Sequence, residues 1–578
     1  MSNAASPSIV SIIDNAQPLP GSASVPPREL QDTLAKAFEA KADAEFSREL
    51  SEVEAANLEI LAACAKLEPN DTGNGARMLL HFGQDLQHVR EIGWHTWTGR
   101  VWKREGGDEA AIAYAQRTAK RIHGEAPLLE QMPHEAKLIR EAAPLRSKDH
   151  KELTSEEVVI LDRANAVRKN LTVRREQRRK HATMSGNWGR ITAMIAQALP
   201  HKSVGPKELD ADHMMLNCEN GTLLFAKEDD PDWCGEEPGY RLNVKLEPHD
   251  RTRLITKIAP ISYDPSAECP MFDAFMKRFQ PDPLVRRFLQ VYHGLALTGL
   301  TGQQCFIYNY GTGANGKSTF MEAIASMMGN YADLLNAESL TGQGQRRGDQ
   351  ATPDFAELPG VRYLRISELP RGEDLKEGLV KSLTGGEEIK ARHLNKGFFK
   401  FTPTFKAAMS GNDLPKIGGV DNGIWRRVRL VPWAVTIPEA ERRPMNEILA
   451  EFEAERPGIL NWLLEGLDLY LREGLQTPDV VTAATSAYRE EMDPIGAFAA
   501  DCLDRVPGHS ETARAVYEAF EAWCEANSVR PWKETAFGRA MPQKGFEREK
   551  KRVRRYLDVR LHDVPAQEPG RRSGVYGK

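Results

Sequence analysis

Cysteine is sparse in this chain and carries no pattern. Cys64, Cys218, Cys234, Cys269, Cys305, Cys502 and Cys524 are scattered over 578 residues with no C-x-x-C pair. That spacing argues against a zinc knuckle or a disulfide framework and suits a reducing compartment. No apolar run approaches the ~18 residues of a membrane span. The first residues lack the basic segment and apolar core of a secretory signal. The chain also lacks a strong excess of one charge: 77 Lys and Arg face 82 Asp and Glu, a net charge of −5. A cytoplasmic protein with no membrane partner is therefore expected. Hydrophobic content of 41% and charged content of 28% suit a globular chain, and the length suggests about two to four domains.

The charge is unevenly placed. Arg168 to Lys180 (RKNLTVRREQRRK) holds seven basic residues and one acidic, and Lys544 to Arg555 (KGFEREKKRVRR) holds seven and two. Local basic patches matter more to a phosphate backbone than the total does. The first run reads equally well as a solvated helix face; for the second a functional patch is favoured.

Residues 1–27, rich in Ser, Pro, Ala and Asn, read as a disordered leader. Residues 28–65 look helical. Asn70 to Gly107 begins with turn chemistry and an amphipathic helix, then alternates around Trp94, Trp97 and Trp102 as a hairpin would. Those aromatics could stack on bases, but their spacing favours a core role. Residues 108–200 look helical and 214–262 strand-like, with a turn at Asn220-Gly221. A helical stretch over 265–300 precedes a phosphate-loop domain that runs to about residue 435. Helix follows over 438–490, then a small domain over 494–562.

The phosphate loop is the sharpest signal. Gly311-Thr312-Gly313-Ala314-Asn315-Gly316-Lys317-Ser318, followed by Thr319, fits G-x-x-x-x-G-K-[ST]. Glycines let the backbone turn tightly and aim its N–H groups at phosphate oxygens. Lys317 would neutralise the β/γ-phosphates and the Ser318 hydroxyl would bind Mg²⁺, so ATP and Mg²⁺ are expected. The flanks agree: QCFIYNY reads as a buried strand and STFMEAIASMMG as a helix ending at Gly329.

A phosphate loop alone specifies no function, so the downstream residues decide. VRYLRISELPRG is an apolar strand ending in Ser367-Glu368; a carboxylate there can hold Mg²⁺ and polarise the attacking water. IKARHLNKGFFKF alternates around an exposed basic tip of Lys390, Arg392, His393 and Lys396, a shape suited to gripping a phosphate backbone. FKAAMSGN ends a strand at Asn412, an amide able to orient water or touch the γ-phosphate. DNGIWRRVRLVPW presents Arg426 and Arg427 just before a strand; an arginine reaching a neighbour's γ-phosphate would require a multimer.

The series GTGANGKS, ISEL, GGEEIKARHLNKGFFKFTPTFK, MSGNDLP and GIWRRVRLVPW resembles the superfamily 3 helicases. It is most similar to the phage and plasmid primase-helicase branch, which includes the poxvirus primase-helicase. NDTGNGARMLLHFGQDL, GWHTWTGRVW and LNCENGTLLF resemble that branch's helicase-associated region. TAFGRAMPQKGFEREKKRVRRYLDVRL resembles its winged-helix domain, and the likeness covers roughly residues 65–562. It implies an α/β fold: an AAA+-like motor with a central sheet, a mostly helical domain before it and a small winged helix after it. The implied activity is an ATP-dependent DNA helicase, translocating 3′→5′ on single-stranded and forked DNA as a hexamer. The implied setting is replication of a phage, prophage or plasmid in a bacterial cytoplasm, with separate primase or replication proteins as further partners. By motif, Lys317 and Ser318 bind phosphates and Mg²⁺, Glu368 is the Walker B acid, Asn412 the sensor, and Arg426 the trans finger with Arg427 beside it. Lys390, Arg392, His393 and Lys396 belong to the channel hairpin. The recognition helix would lie within residues 533–546, and the wing supplies Lys550, Lys551, Arg552 and Arg554.

Two departures stand out. Ser367 occupies the position where many relatives carry a second acid. No polymerase-type carboxylate pair precedes the motor; the one tempting pair, Asp210 and Asp212, reads as structural, and no primase activity is expected. The expected domains are 28–262, 263–490 and 491–565, with a flexible tail over 566–578. A DNA-packaging or partition ATPase and a non-catalytic DNA scaffold remain alternatives.

Overall fold

The computed structural model describes residues 57–234, 239–341, 353–368, 373–393, 397–417, 422–527, 529–549 and 553–562. The leader, the tail, Lys396, Lys550, Lys551 and Arg552 lie outside the described residues. The chain divides into two compact units: residues 57–86 with 106–203, and residues 87–105 with 204–562, as far as these are described.

The first unit is helical: residues 57–65, then α1 (Asp71–Phe82), α2 (Gly107–Arg121), α3 (Pro133–Ala142), α4 (Ser155–Ser185) and α5 (Trp188–Ala198). Asn70 caps α1 through the Gly73 N–H, and a Thr154/Glu157 capping box starts α4. The basic run lies on α4, and the unit uses much of it internally. Glu125, fully buried, accepts from Arg77 Nε at 2.7 Å and from Arg178. Both guanidiniums also donate to carbonyls at the end of helix 57–65, including Leu67 O. Arg174 pairs with Glu135 at 2.6 Å, and Arg175 donates to Pro127 O and Leu129 O. A buried carboxylate needs paired charge and full hydrogen bonding, which Arg77 and Arg178 supply to Glu125; Arg174 and Arg175 serve the separate contacts with Glu135 and with the two carbonyls. Arg168, Lys169, Arg179 and Lys180 form the exposed remainder.

The second unit opens, from the boundary residues Leu86 and Ser203 onward, with β1 (Leu86–Val89), β2 (Gly93–Trp97) and β3 (Trp102–Lys103), joined by β4 (Ser203–Val204) in the order β3-β2-β1-β4. Trp94 and Trp102 are buried, Trp97 packs on Trp102 at 5.6 Å, and Trp102 Nε1 donates to Arg251 O. A core role for this cluster follows. An antiparallel sheet of β5 (Met215–Cys218), β6 (Gly221–Asp229) and β7 (Tyr240–Glu247) comes next. Asn217 Nδ2 donates to Arg100 O at 3.0 Å. That bond joins residues 87–105 to 204–262, and hydrogen bonds from the Asn217 N–H to Tyr331 Oη and from Arg362 Nη2 to Asp212 O join the latter to the phosphate-loop region, so the expected span 28–262 is divided between the two units. Asp210 accepts from the backbone N–H and hydroxyl of Thr256, and Asp212 from the Met214 N–H at 2.8 Å. Asp212 is thus a local backbone acceptor, and Asp210 ties its segment to Thr256.

The central sheet contains β8 (Phe306–Tyr310), β9 (Ala332–Leu335), β10 (Tyr363–Ile366), β13 (Lys406–Gly411) and β14 (Val428–Pro432) in the order β14-β8-β13-β10-β9, all parallel. Its strands alternate between two cores. Ile307, Tyr363, Ala408 and Val431 face a layer containing α6 (Pro270–Phe279), α7 (Pro283–Leu295) and α8 (Lys317–Met328). Phe306, Tyr308, Leu364, Met409 and Leu430 face the opposite layer, which holds α10 (Glu377–Thr384) and the hairpin β11 (Ile389–Ala391) and β12 (Phe399–Phe401). Coverage on both faces is why these strands read as continuous apolar runs. Two short helices, α9 (Pro353–Ala356) and α11 (Asn422–Trp425), lie in the connections, and α12 (Met445–Ala454), α13 (Arg456–Glu473) and α14 (Asp479–Glu491) follow the sheet.

The last segment runs α15 (Pro494–Cys502), β15 (Leu503–Thr512), α16 (Ala513–Ala526), α17 (Glu534–Gln543), β16 (Arg548–Glu549) and β17 (Arg555–Leu561), with sheet order β15-β17-β16. It has its own core around Phe498, Phe520, Phe537 and Tyr556. Among the described residues, no helix is long and apolar enough to cross a membrane.

Candidate nucleotide-binding site

Parallel strands release their loops at one edge of the sheet, where ligands bind. The loop 311–316 leaves the end of β8 there and enters α8 at Lys317. Gly313, Ala314 and Gly316 have φ of 97°, 46° and 83°. These left-handed turns aim successive N–H groups into a concavity at a helix N-terminus. A Cβ on Gly311 would come within 2.4 Å of Trp433 O, and one on Gly316 within 2.9 Å of Phe275 Cζ.

A segment after β14 holds the loop from behind. Asn315 Nδ2 donates to Trp433 O at 3.1 Å, Trp433 Nε1 to Asn309 Oδ1 at 2.8 Å, and Ile437 N–H to Ala314 O at 2.7 Å. The strained Ala314 conformation is fixed by that last bond.

Lys317, the only buried lysine on α8, donates from Nζ to Gly311 O at 2.8 Å and to Asn412 Oδ1 at 3.2 Å. Burial lowers its pKa, and the Glu368 carboxylate opposes that shift. The Asn412 N–H donates to Glu368 Oε1 at 2.9 Å. β13 lies between β8 and β10, so Asn412 at its end bridges the lysine and the acid. Ser318 and Glu368 are exposed. A cleft of about 390 Å³ is lined by Gly313 to Thr319, Glu368, Asn412, Ile437, Arg442 and Arg443. Backbone N–H donors of the loop, a lysine, an open hydroxyl and an open carboxylate make this set of groups fit a nucleoside triphosphate with a divalent cation. The rim arginines were not anticipated from sequence. Arg442 Nε donates to Ile437 O, and Arg443 pairs with Glu451 at 2.5 Å.

The two finger candidates separate. Arg427 is buried; its Nε donates to Thr384 Oγ1 at 3.1 Å and its Nη1 to Gly423 O at 2.7 Å. Arg426 is exposed and lines a second cleft of about 500 Å³ with Arg429 and Arg489. Val428 pairs with Phe306 in parallel register, so Arg426 lies at the edge opposite the phosphate loop. The five-residue strand spans roughly 16 Å, and Arg426 does not reach the loop of its own chain.

The hairpin corrects one expectation. Lys390 is exposed and Arg392 half-buried, but His393 is 7% exposed and not part of an exposed tip. It stacks on Phe399 at 5.6 Å and faces Glu357 Oε1 at 3.3 Å. The reason is the pleat: His393 shares parity with Ala391 on the inward face, whereas Lys390 and Arg392 point outward. In the last segment, Arg554 lines a cleft with Arg539 and Arg548.

Two segments of this chain match D5-type families. Residues 75–281 match the family described as "D5 N terminal like", and residues 490–565 match "Poxvirus D5 protein-like". The curated relatives include "Putative helicase L207/L206" of Acanthamoeba polyphaga mimivirus, 27% identical over 56% of this chain and 34% of that protein. "Putative helicase 022R" of Frog virus 3 is 30% identical over 44% of this chain and 28% of that protein. "Putative primase C962R" of African swine fever virus is 28% identical over 38% and 22%. The matched regions thus span about a third or less of those relatives. A solved structure, the A form apo structure of NrS-1 C terminal region, is similar at TM-score 0.31 and 10% identity over 58% of this chain and 96% of that one.

Proposed function

We propose that this chain is an ATP-driven DNA helicase motor acting in replication. The observation that carries the reading is the convergence of Lys317, Glu368 and Asn412 on one cleft beneath the glycine loop, together with a cation-bearing hairpin in the same unit. The helicase and primase names of its relatives support it. The sheet with a phosphate loop at its edge is read as AAA+-like. The order α15, β15, α16, α17, β16, β17 is read as a winged helix for duplex DNA, with Arg554 in its wing.

The loop N–H groups and Lys317 bind and orient the β/γ-phosphates. Ser318 and Glu368 would hold Mg²⁺, which supplies charge neutralisation when bound. Glu368 also accepts the proton of the attacking water, since Ser367 offers no second carboxylate. Asn412 holds both Lys317 and Glu368 in register. Arg426 completes the site of a neighbouring copy, which makes the active form a ring, read as a hexamer. Lys390 and Arg392 transmit the cycle to the phosphates of a single strand, with 3′→5′ polarity. A phage, prophage or plasmid origin is the setting we favour.

Strand displacement on a fluorescent fork with ATP and Mg²⁺ tests this. Unwinding by wild type that is lost in Lys317→Ala, and lost with ATPase retained in Lys390→Ala/Arg392→Ala, is the expected result. ATPase with no unwinding on forks of either polarity would overturn it in favour of a packaging or partition ATPase.

A further inference from the structure

The hairpin crowds like charge in a way that a purely structural hairpin has no reason to do. In the β11–β12 ladder Lys390 stands directly opposite Lys400, while Ile389, Ala391, Phe399 and Phe401 form the inward face. Arg392 and Phe398, one step beyond Ala391 and Phe399, have the same outward parity as the lysines. Three cations thus share one short face. Like charges in opposed strand positions destabilise a hairpin. The carboxylate described beside them, Glu388, lies 3.6 Å from Lys400 Nζ and also pairs with Lys207. The other two cations converge on one aromatic ring: Lys390 Nζ lies 4.1 Å from the Phe398 centroid and Arg392 Cζ 4.5 Å. A cation over a ring face is attracted by the ring quadrupole, which offsets part of the repulsion.

A long cation that is free in solution must lose rotamer freedom when it meets a phosphate. A cation already resting on a rigid ring has lost part of it, so binding gains from preorganisation. Phe398 and Arg392 are half-buried and Lys390 is exposed, so the cluster lies at the surface. We infer that Phe398 is a positioning residue that holds Lys390 and Arg392 together for the backbone phosphates of a single DNA strand. This rests on the proposed DNA-motor reading. The basic residues are evident in the sequence, but Phe398 reads there only as one of two adjacent phenylalanines.

The test is equilibrium binding of the full chain to a fluorescent oligothymidylate over a range of salt, with melting temperature read alongside as a check of folding. Phe398→Leu keeps every charge and should weaken binding several-fold, and Phe398→Tyr should restore it. Lys390→Ala/Arg392→Ala should make the log K against log salt slope shallower by about 1.4, two single-strand phosphates at ~0.7 each. The deciding quantity is coupling: the charge-removing pair must cost markedly less in the Phe398→Leu background than in wild type. Equal costs in both backgrounds, or wild-type binding by Phe398→Leu, overturn the positioning role while leaving the hairpin as a DNA contact. Wild-type affinity and slope in Lys390→Ala/Arg392→Ala overturn both the ring's role and the hairpin reading.

Discussion

Asn412 touches both key groups of the proposed phosphate site, its side chain on Lys317 and its N–H on Glu368. Asn412→Ala removes only the first contact. Steady-state ATPase should show kcat lowered about 100-fold, the scale of losing one well-placed polar group, with KM for ATP changed far less. Arg426 and Arg427 are neighbours with opposite expected phenotypes. Arg427→Ala strips partners from Thr384 and Gly423 in a buried setting, so chemical denaturation should report a loss of about 1–3 kcal/mol. Arg426→Ala should melt like wild type yet lose ATPase, and an inactive Lys317→Ala partner mixed with it should restore part of the rate. Sequence made the lysine, acid and amide legible because each ends a recognisable strand or loop. The family resemblance favoured Arg426 over Arg427 as the finger, but the residues themselves gave no reason, because adjacent arginines differ only in which way the chain turns into β14.

At the scale of elements, the loop depends on what packs behind it. Gly316 has φ of 83° and Phe275 only 2.9 Å from a would-be Cβ. Gly316→Ala combines a left-handed backbone with a clash, so isothermal titration should find nucleotide binding abolished and denaturation a cost of about 1–3 kcal/mol. The strand, loop and helix order was legible from periodicity and the glycine motif. The segment from Trp433 to Arg443 that fastens the loop was not, since irregular backbone carries no hydrophobic period. His393 was misread because composition marks a basic tip while parity along the strand decides which face a side chain occupies. The first basic run was undecidable for a related reason: only the folded unit reveals that Glu125 lies buried under Arg178.

At the scale of the whole molecule, buried imidazoles contribute a loss of stability in acid, and burial also lowers His213. Burial pushes His81, His181 and His293 down to about 4, and nearby arginines add to the effect at His81 and His181. Each is neutral when folded and takes up a proton near pH 6.5 when unfolded. The stabilisation is therefore complete above about pH 6.5 and is lost progressively as pH falls toward the folded value of about 4. Urea unfolding should give a lower midpoint at pH 5 than at pH 7.5, and His181→Gln should flatten part of that dependence.

The strand order also governs how the chain comes into being. Phe306 pairs with Ala407 and Val428, partners a hundred residues and more downstream. A chain emerging from the ribosome carries its glycine loop long before it carries β13, β14 or the Trp433 clasp that fixes the loop's shape. Such non-local pairing makes folding slow and leaves apolar strands exposed meanwhile. The nucleotide proposed for this site cannot serve as an early template for folding, because the site that would hold it is among the last features to be completed.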